Sequence, residues 1–531
     1  MLVLYLAFDT FVWKPQRQNA AQLAVNTEEQ VTTAPAVPDS TARLSAANTI
    51  SDSLFQGAES QQLLHLENDK IRVTFNSRGA VISSIELKHY DFGPEQPVNL
   101  IPQGEEILQT SVYSLGQSID LAAYNFSYEI DEQANAIRFF LPGENGSEIR
   151  RSYSLDEQYG IHTTVDIQNT GSVNGIRMDL MAGIADSEKN TKSKAQDYRF
   201  YLYADNEILK IPLSKMRKNA PQGSFGTFAW AAVRSKYFTL ALKEDEPPLS
   251  KSFSSAVNTD TQNPGFAIDS FQNQTKANWQ QNFILYAGPA DADLLKGYGK
   301  QMENIAERGA NWLRWLANIF AWFLSWLHGY VKNYGVVLII LALILKVLLH
   351  PLTHKSMDAS IKMQKIQPQM QALQKKYKDD PKTLQMEMSK LYKEAGANPM
   401  SGCLPLLLQM PIFFSLYNVL RYSLDMRNAG FVLWLKDLSE PDPYLILPII
   451  MGIFMVIQSL MMQPKRGNPE EMDDKQRAAQ SSQKMMTWLM PIMMFFIFRN
   501  MPAGLVLYWT VFNIFSVIQQ YYLLKHYKNK E

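Results

Sequence analysis

GVVLIILALILKVLLHPLT, residues 335–353, is an almost unbroken apolar run with one cation, Lys346, set inside it. About 20 apolar residues span a ~30 Å hydrocarbon core. With its flank from Val331, the stretch predicts a membrane helix over 331–352. A Lys at the centre of such a helix costs roughly 2.5–3.5 kcal/mol on insertion scales, so Lys346 is expected to face water or protein rather than lipid. It stands four residues before His350-Pro351, roughly 6 Å from the helix end at ~1.5 Å per residue. Two readings follow: a lysine snorkelling to the nearer headgroups, or the cation of a hydrated, positive cavity in the inner half of the membrane.

Four more apolar segments lie downstream, at 403–424, 444–462, 485–499 and 504–524. The first carries Pro405 and Pro411, the second Pro448 and the third Pro491. Proline frees backbone carbonyls and is tolerated in a membrane only where neighbours satisfy them again, so the five spans are expected to form a bundle. The last two are joined by only Asn500 to Ala503, a tight hairpin. Gln409, Ser415, Gln458, Thr510, Asn513 and Gln519 could share a cavity with Lys346; the plainer account of most of them is interhelical hydrogen bonding. No Asp or Glu lies deep in these spans. Lys346 therefore lacks an obvious intramembrane ion-pair partner, and the acidic or His chain of a proton relay is missing.

Between the first two spans, Met357, Ile361, Ile366, Met370, Leu373 and Tyr377 recur at helical spacing until Asp379-Asp380-Pro381 breaks the run, and Leu384, Met388, Leu391 and Tyr392 resume it. Gly396 and Asn398-Pro399 close a helical hairpin over 353–402. Orientation follows from Lys and Arg in short loops. The hairpin holds nine, the 463–484 loop five and the tail after 524 three, against Arg427 and Lys436 in 425–443 and none in 500–503. The hairpin, the 463–484 loop and the 525–531 tail are thus expected to be cytoplasmic, with everything before the first span outside.

Asn311 to Tyr330, within an expected element at 307–330, puts Trp312, Trp315, Leu316, Ile319, Trp322, Phe323, Trp326, Leu327 and Tyr330 on one helical face and Arg314, Asn318, Ser325 and His328 on the other. A Trp-rich amphipathic helix suits the plane of the interface. A spanning helix there would place the outer domain and the hairpin on the same side. Further upstream, 61–290 is a succession of short alternating runs between turn signals, among them IRVTF (71–75), VISSIEL (81–87), IRFFL (137–141), IHTTVDI (161–167) and YFTLAL (237–242). Period-two alternation in many short strands predicts a mainly-β sandwich. Residues 14–60 are rich in Gln, Ala, Thr, Ser and Asn and read as a flexible linker. Residues 1–13 are apolar but short, with Asp9 inside. They read as what remains of an N-terminal signal anchor, the alternative being a short helix of a soluble domain.

Net charge is zero and the pI about 7.1, so the whole chain offers no argument for nucleic-acid binding. Cys403 is the single cysteine; an intrachain disulfide or a Cys-based zinc site is excluded. The outer Ser and His residues have no nucleophile-elbow context, GENG (143–146) is an ordinary turn, and no HExxH occurs. Catalysis is not expected.

NPMSGCLPLLLQMPIFFSLYNVL (398–420), DPYLILPIIMG (442–452) and MPAGLVLYWTVFNIFSVIQQ (501–520) closely resemble the YidC family of bacterial membrane protein insertases. The likeness runs from about 311 to 525, and the long outer domain resembles the Gram-negative form more weakly. It implies five core membrane helices plus the N-terminal anchor, a periplasmic sandwich and a cytoplasmic hairpin, in the inner membrane. It also implies a hydrophilic groove open to cytoplasm and lipid and sealed outside, with no nucleotide or metal. The groove would receive polar parts of nascent membrane proteins while their apolar segments slide into lipid. The implied partners are those nascent chains, the Sec translocon and its accessory subunits, the ribosome and targeting machinery, and the bilayer. The family's groove cation, usually Arg, falls on Lys346. Gln458 and Trp509 match groove-lining positions, beside Gln409, Thr510 and Asn513. Phe413 and Phe414, with Met494 and Phe495, lie on the two helices of the slide. Lys keeps the charge but loses the planar fork that pairs bidentately with carboxylates. A solute transporter or channel, or a membrane-anchored assembly factor, are the alternatives. The lack of an inverted repeat counts against transport.

Overall fold

The computed structural model describes residues 55–528, apart from 94–95, 115–116, 171–172, 219–221, 226–227, 246–249, 307–310, 379, 397–403 and 462–473. The expected N-terminal anchor and almost all of the linker lie outside the described residues, as does Cys403. The chain divides into two units, 1–306 and 307–531.

The first unit is mainly β, and the five alternating runs all lie on strands. They are distributed over three antiparallel sheets. A nine-stranded sheet runs in the order Glu207–Pro212, Arg199–Ala204, Phe228–Arg234, Phe238–Glu244, Trp279–Pro289, Gly160–Gln168, Glu148–Leu155, Ala136–Pro142 and Ser127–Asp131. A six-stranded sheet is built around Val173–Leu180 and Pro264–Lys276, and a four-stranded sheet spans Leu63 to Asn99. Pairings such as Gly160–Gln168 with Trp279–Pro289 are far apart in sequence, which is why alternation alone yields strands but not sheets.

Aromatic side chains join the sheets. Phe200 stacks on Phe253 at 5.6 Å between the nine- and six-stranded sheets. Phe75 meets Tyr153 at 4.7 Å between the four- and nine-stranded ones. Trp230, Tyr153, Tyr201, Tyr237, Tyr286, Phe139 and Phe238 are fully buried, each large apolar side chain contributing about 1.5–3 kcal/mol on burial. The core strand Phe228–Arg234 is buried at nearly every position, so apolar residues there run continuously instead of alternating.

Among the described residues four buried cations, Arg151, Arg234, Lys236 and Lys251, interrupt this core. Arg151 donates Nη1 to the carbonyls of Gly79 (3.2 Å) and Leu108 (2.9 Å), tying two loops of the smaller sheets to the large one. Lys251 donates to the Phe228 carbonyl (2.9 Å) and pairs with the buried Glu244 carboxylate, which also accepts from Gln281. Burial pushes the Lys251 ammonium below its usual range, and the adjacent carboxylate opposes that shift by favouring the charged form.

The second unit is helical: α1 (Arg314–Tyr330), α2 (Tyr334–Leu348), α3 (His350–Lys376), α4 (Pro381–Glu394), α5 (Leu404–Tyr422), α6 (Ile446–Met461), α7 (Asp474–Phe498) and α8 (Ala503–Lys528). Asn333 caps α2, accepting from the Val336 amide (3.1 Å) while donating to the Phe431 carbonyl (3.0 Å). The next residue but one, Gly335, sits so close to the Phe431 ring that a Cβ would lie 2.0 Å from it. At its other end α2 stops at Leu348 because Pro351, in the first turn of α3, supplies no N–H to continue the ladder. Thr353 Oγ1 bonds the Leu349 and His350 carbonyls there (both 3.0 Å), and the chain turns by 61° into α3. The elbow thus comes earlier than the helix end expected at 352. α2 and α8 pack side by side in parallel, Leu338 beside Gly504 and Lys346 beside Ser516.

By length and composition, among the described residues, Ala503–His526 is long and apolar enough to cross a membrane, and Tyr334–Leu348 passes with His350–Met363 as a bent pair. Ile446–Met461 and Thr487–Phe498 are shorter apolar helices. A bundle core joins α1, α2, α5, α6 and α8 through Phe320, Leu338, Leu416, Met451 and Tyr508. α1 carries two apolar stripes rather than one. Trp312, just before it, and Trp315, Ile319, Trp322, Trp326 and Tyr330 stand exposed, while Leu313, Ala317, Phe320 and Leu324 are buried in the bundle.

Replacing Lys251 by Met is expected to destabilise the β unit by about 3–5 kcal/mol, because a buried carboxylate is left alone. The double change Lys251→Met/Glu244→Leu should recover most of that, as read by chemical denaturation in a two-mutant cycle. Gly335→Leu should cost about 1–3 kcal/mol through overpacking against Phe431, seen as a lower melting temperature of the purified chain.

Candidate functional site

The polar interior of the helical unit is laid out along α8. Trp509, Asn513, Ser516 and Gln520 recur at spacings of four, three and four, so they share one helical face. Ser516 and Gln520 are buried with Asn513, and Trp509 is half-buried. Lys346 of α2 is 7% exposed, and its Nζ donates to Ser516 Oγ at 2.8 Å. The ammonium also lies 4.8 Å from the centroid of the Phe512 ring, a cation–π distance. Ser516 Oγ in turn donates to the Phe512 carbonyl (2.8 Å). Among the described residues no carboxylate forms a salt bridge with Lys346. The side chain reaches sideways to α8.

On the same face of α8 several buried polar atoms have no protein partner: Trp509 Nε1, Asn513 Nδ2 and both amide atoms of Gln520. Buried polar groups are nearly always hydrogen-bonded, and each left unmade costs about 1–3 kcal/mol. Their concentration on one interior face is chemistry suited to water or a polar guest.

The remaining residues singled out in the sequence divide. Gln409 is buried and donates to Tyr508 OH (3.1 Å), an α5–α8 tie. Thr510 is buried, but its hydroxyl is spent on the Val506 carbonyl of its own helix (2.7 Å). Gln458, half-buried, sits on α6, which packs along α8. Phe413 meets Trp509 at 5.2 Å and Phe498 at 5.8 Å, so an expected slide residue and an expected groove residue touch directly. Phe414 is adjacent to Phe413 (5.5 Å), Met494 packs against the bundle core, and Phe495 contacts Phe496 (5.5 Å). The most exposed apolar stripe on α7 is Trp488, Ile492 and Phe496, which sequence reasoning did not single out although its four-residue spacing is legible. Ser516 and Gln520 were missed because a lone Ser or Gln in an apolar segment carries no signal until its neighbours are known.

One end of the bundle is closed by the segment between α5 and α6. Asp442, 2% exposed, accepts from Trp434 Nε1 (3.1 Å) and from the amides of Tyr444 (3.1 Å) and Leu447 (2.7 Å), the last in the first turn of α6. The amides of Ala503 and Gly504 at the start of α8 donate to the Glu440 and Leu438 carbonyls. Met426, Leu435 and Leu438 are buried in the same core as Ala503 and Leu505. At the other end lie the α2–α3 elbow and the last turns of α8. No group of three or more His, Cys, Asp or Glu able to hold a metal ion occurs among the described residues.

Residues 63–323 match the family described as YidC periplasmic domain, and residues 326–530 match the family described as 60Kd inner membrane protein. The membrane protein insertase YidC of Pelodictyon phaeoclathratiforme is 32% identical over 510 residues, covering 88% of this chain and 83% of that one. The protein of the same name from Syntrophus aciditrophicus is 31% identical over 542 residues, covering 96% and 94%. A solved structure described as an active YidC insertase with the first transmembrane domain resolved is 20% identical, covers 91% of this chain and 97% of its own, and superposes with a TM-score of 0.35. With both units matched and near full-length relatives above 30% identity, this chain belongs to the YidC family of membrane protein insertases.

Proposed function

We propose that the helical unit is a bundle of five membrane spans around a positively charged polar groove. The groove takes the polar or acidic portion of a nascent inner-membrane protein and releases the apolar segment into lipid. The observation that carries this reading is Lys346, buried with its ammonium on the Ser516 hydroxyl and over the Phe512 ring, on the α8 face that also carries unpartnered Trp509, Asn513 and Gln520. A cation so placed attracts an acidic guest, and polar walls lower the cost of moving polar groups into the membrane.

Helix length supports the same mechanism. α2 has 15 residues and α6 has 16, roughly 22–24 Å at ~1.5 Å per residue, against a ~30 Å hydrocarbon core. A bilayer meeting short spans thins locally, which shortens the distance a polar segment must cross. The hydrogen-bonded cover over one bundle end supports a groove closed on the outer side. Gln409, Gln458 and Thr510 belong to the groove walls, and Phe413, Phe414, Met494 and Phe495 to the exit path.

In this reading the β unit is periplasmic, 307–330 lies in the outer interface with its Trp stripe toward lipid, and 353–402 and 525–531 are cytoplasmic. The partners are nascent membrane proteins, taken alone or with the Sec translocon and its accessory subunits, and the ribosome or targeting machinery at the hairpin. No catalytic step and no cofactor enters. A transporter would show solute-dependent protection of position 346, whereas an insertase needs none.

Complementation of an insertase-depleted strain tests the mechanism. Lys346→Arg should support growth, while Lys346→Ala and Lys346→Glu should fail although each reaches the membrane at normal levels; equal growth of all three would remove the groove charge from the mechanism. Photo-crosslinkers at 413, 414 and 509 should capture a stalled nascent membrane segment, whereas one at the buried, core-packed Leu338 should not.

A further inference from the structure

A cavity of about 740 Å³ lies between the α2–α3 elbow and the last turns of α8. Its α8 wall is made by Phe515, Ile518, Gln519, Tyr522, Leu523 and His526. At about 100° per residue the centre of this face is turned roughly 120° from that of Trp509, Asn513, Ser516 and Gln520. Lys346 borders it, as does Gln519, read from the sequence as able to share a cavity with Lys346.

The lining is divided by polarity. Val347, Pro351, Phe515 and Ile518 make an apolar wall, continuous with an exposed apolar surface at Leu348 and Tyr522. Lys346, His350, His354 and His526 bring four nitrogen-bearing side chains against one carboxylate, Asp358. Three of the chain's seven histidines thus meet here. The rings of His350 and His354 are 5.9 Å apart, and His354 Nδ1 is 3.7 Å from the Asp358 carboxylate. The Gln519 amide lies 3.0 Å from His350 Nδ1, and its Nε2 donates to Thr353 Oγ1 (3.2 Å). Gln519 Oε1 is buried without a partner.

We propose that this cavity is a binding site for an anionic phospholipid, its phosphate held by the Lys346 and histidine donors and its acyl chains laid along Val347, Leu348, Ile518 and Tyr522. Phosphate accepts several N–H donors at once, and basic pockets between membrane helices at the charged end of a bundle suit acidic headgroups. A free anion would use the donors but leave the apolar wall uncovered; a polar peptide would gain nothing from that wall. A lipid covers both. Exposed Lys355 and Lys525, next in sequence to His354 and His526, add positive charge near the site. The inference rests on the membrane location of the family and shares Lys346 with the proposed groove, while the three histidines and the apolar wall belong to this cavity.

The test uses the full-length chain in neutral detergent, titrated with dioctanoyl phosphatidylglycerol, dioctanoyl phosphatidylcholine or inorganic phosphate, with the melting temperature as readout. Phosphatidylglycerol should raise it saturably, phosphatidylcholine should act at concentrations at least about tenfold higher, and phosphate should do nothing. H354Q/H526Q should weaken the phosphatidylglycerol midpoint about tenfold, the loss of one charge-assisted hydrogen bond. Val347→Trp, which fills the mouth and keeps every histidine, should do the same and stands in if the double variant does not fold. Equal stabilisation by phosphatidylcholine, equal stabilisation by phosphate, or an unchanged midpoint in a folded variant would each overturn the assignment. Because Lys346 is untouched, these outcomes are separable from failure of the complementation test.

Discussion

The helical unit is arranged around the problem of keeping one ammonium in an apolar bundle. A Lys in a membrane span is tolerated by reaching the interface, by pairing with an acid, or by lying in polar surroundings. The contact of Lys346 with Ser516 and the Phe512 ring is of the third kind. It needs α2 and α8 parallel and close, and Gly504 on α8, set beside Leu338 of α2, provides that closeness. It also needs α8 to carry polar groups on the face it turns inward, which Trp509, Asn513 and Gln520 supply. An acidic residue at position 516 would have neutralised the cation and cancelled the field that an incoming acidic segment would feel.

The β unit uses its buried charges to join sheets. Lys251 is closed by Glu244, while Arg151 fixes two loops through their carbonyls and keeps Nε and Nη2 buried without a partner. Both specify how sheets meet. Such charges add little net stability over apolar replacements, but removing one partner strands the other. Their effect is to make a three-sheet arrangement with long-range pairings tolerate few alternatives.

Much of this was legible in the residues. The Lys346 run, the Pro351 stop, the hairpin break at Asp380-Pro381 and the strands at 71–76, 136–142 and 160–168 follow from local rules that act within a few residues. What was not legible depends on partners distant in sequence. Alternation could not assign strands to three sheets. The Trp periodicity of α1 drew attention to the exposed stripe and hid the smaller Ala317–Phe320–Leu324 stripe that packs into the bundle. Thr510 and Ser516 each donate to the carbonyl four residues back on α8, yet it is Ser516 that receives the ammonium. Rotation around α8 separates the two: residue 510 lies roughly 100° from 509 at 3.6 residues per turn.

The two ends of the bundle differ in how their backbone is satisfied, and that difference gives it a direction. At the α8 N-terminus, first-turn amides are taken by the Leu438 and Glu440 carbonyls, and Asp442 holds the covering loop to α6. Opening that end would break several buried hydrogen bonds together. At the elbow end, Pro351 has already ended one helix, Thr353 covers freed carbonyls, and the side chains present are histidines, a glutamine and exposed apolar groups. The hydrogen-bonded cover thus lies at one end and Lys346 nearer the other, and the proposed groove depends on that asymmetry.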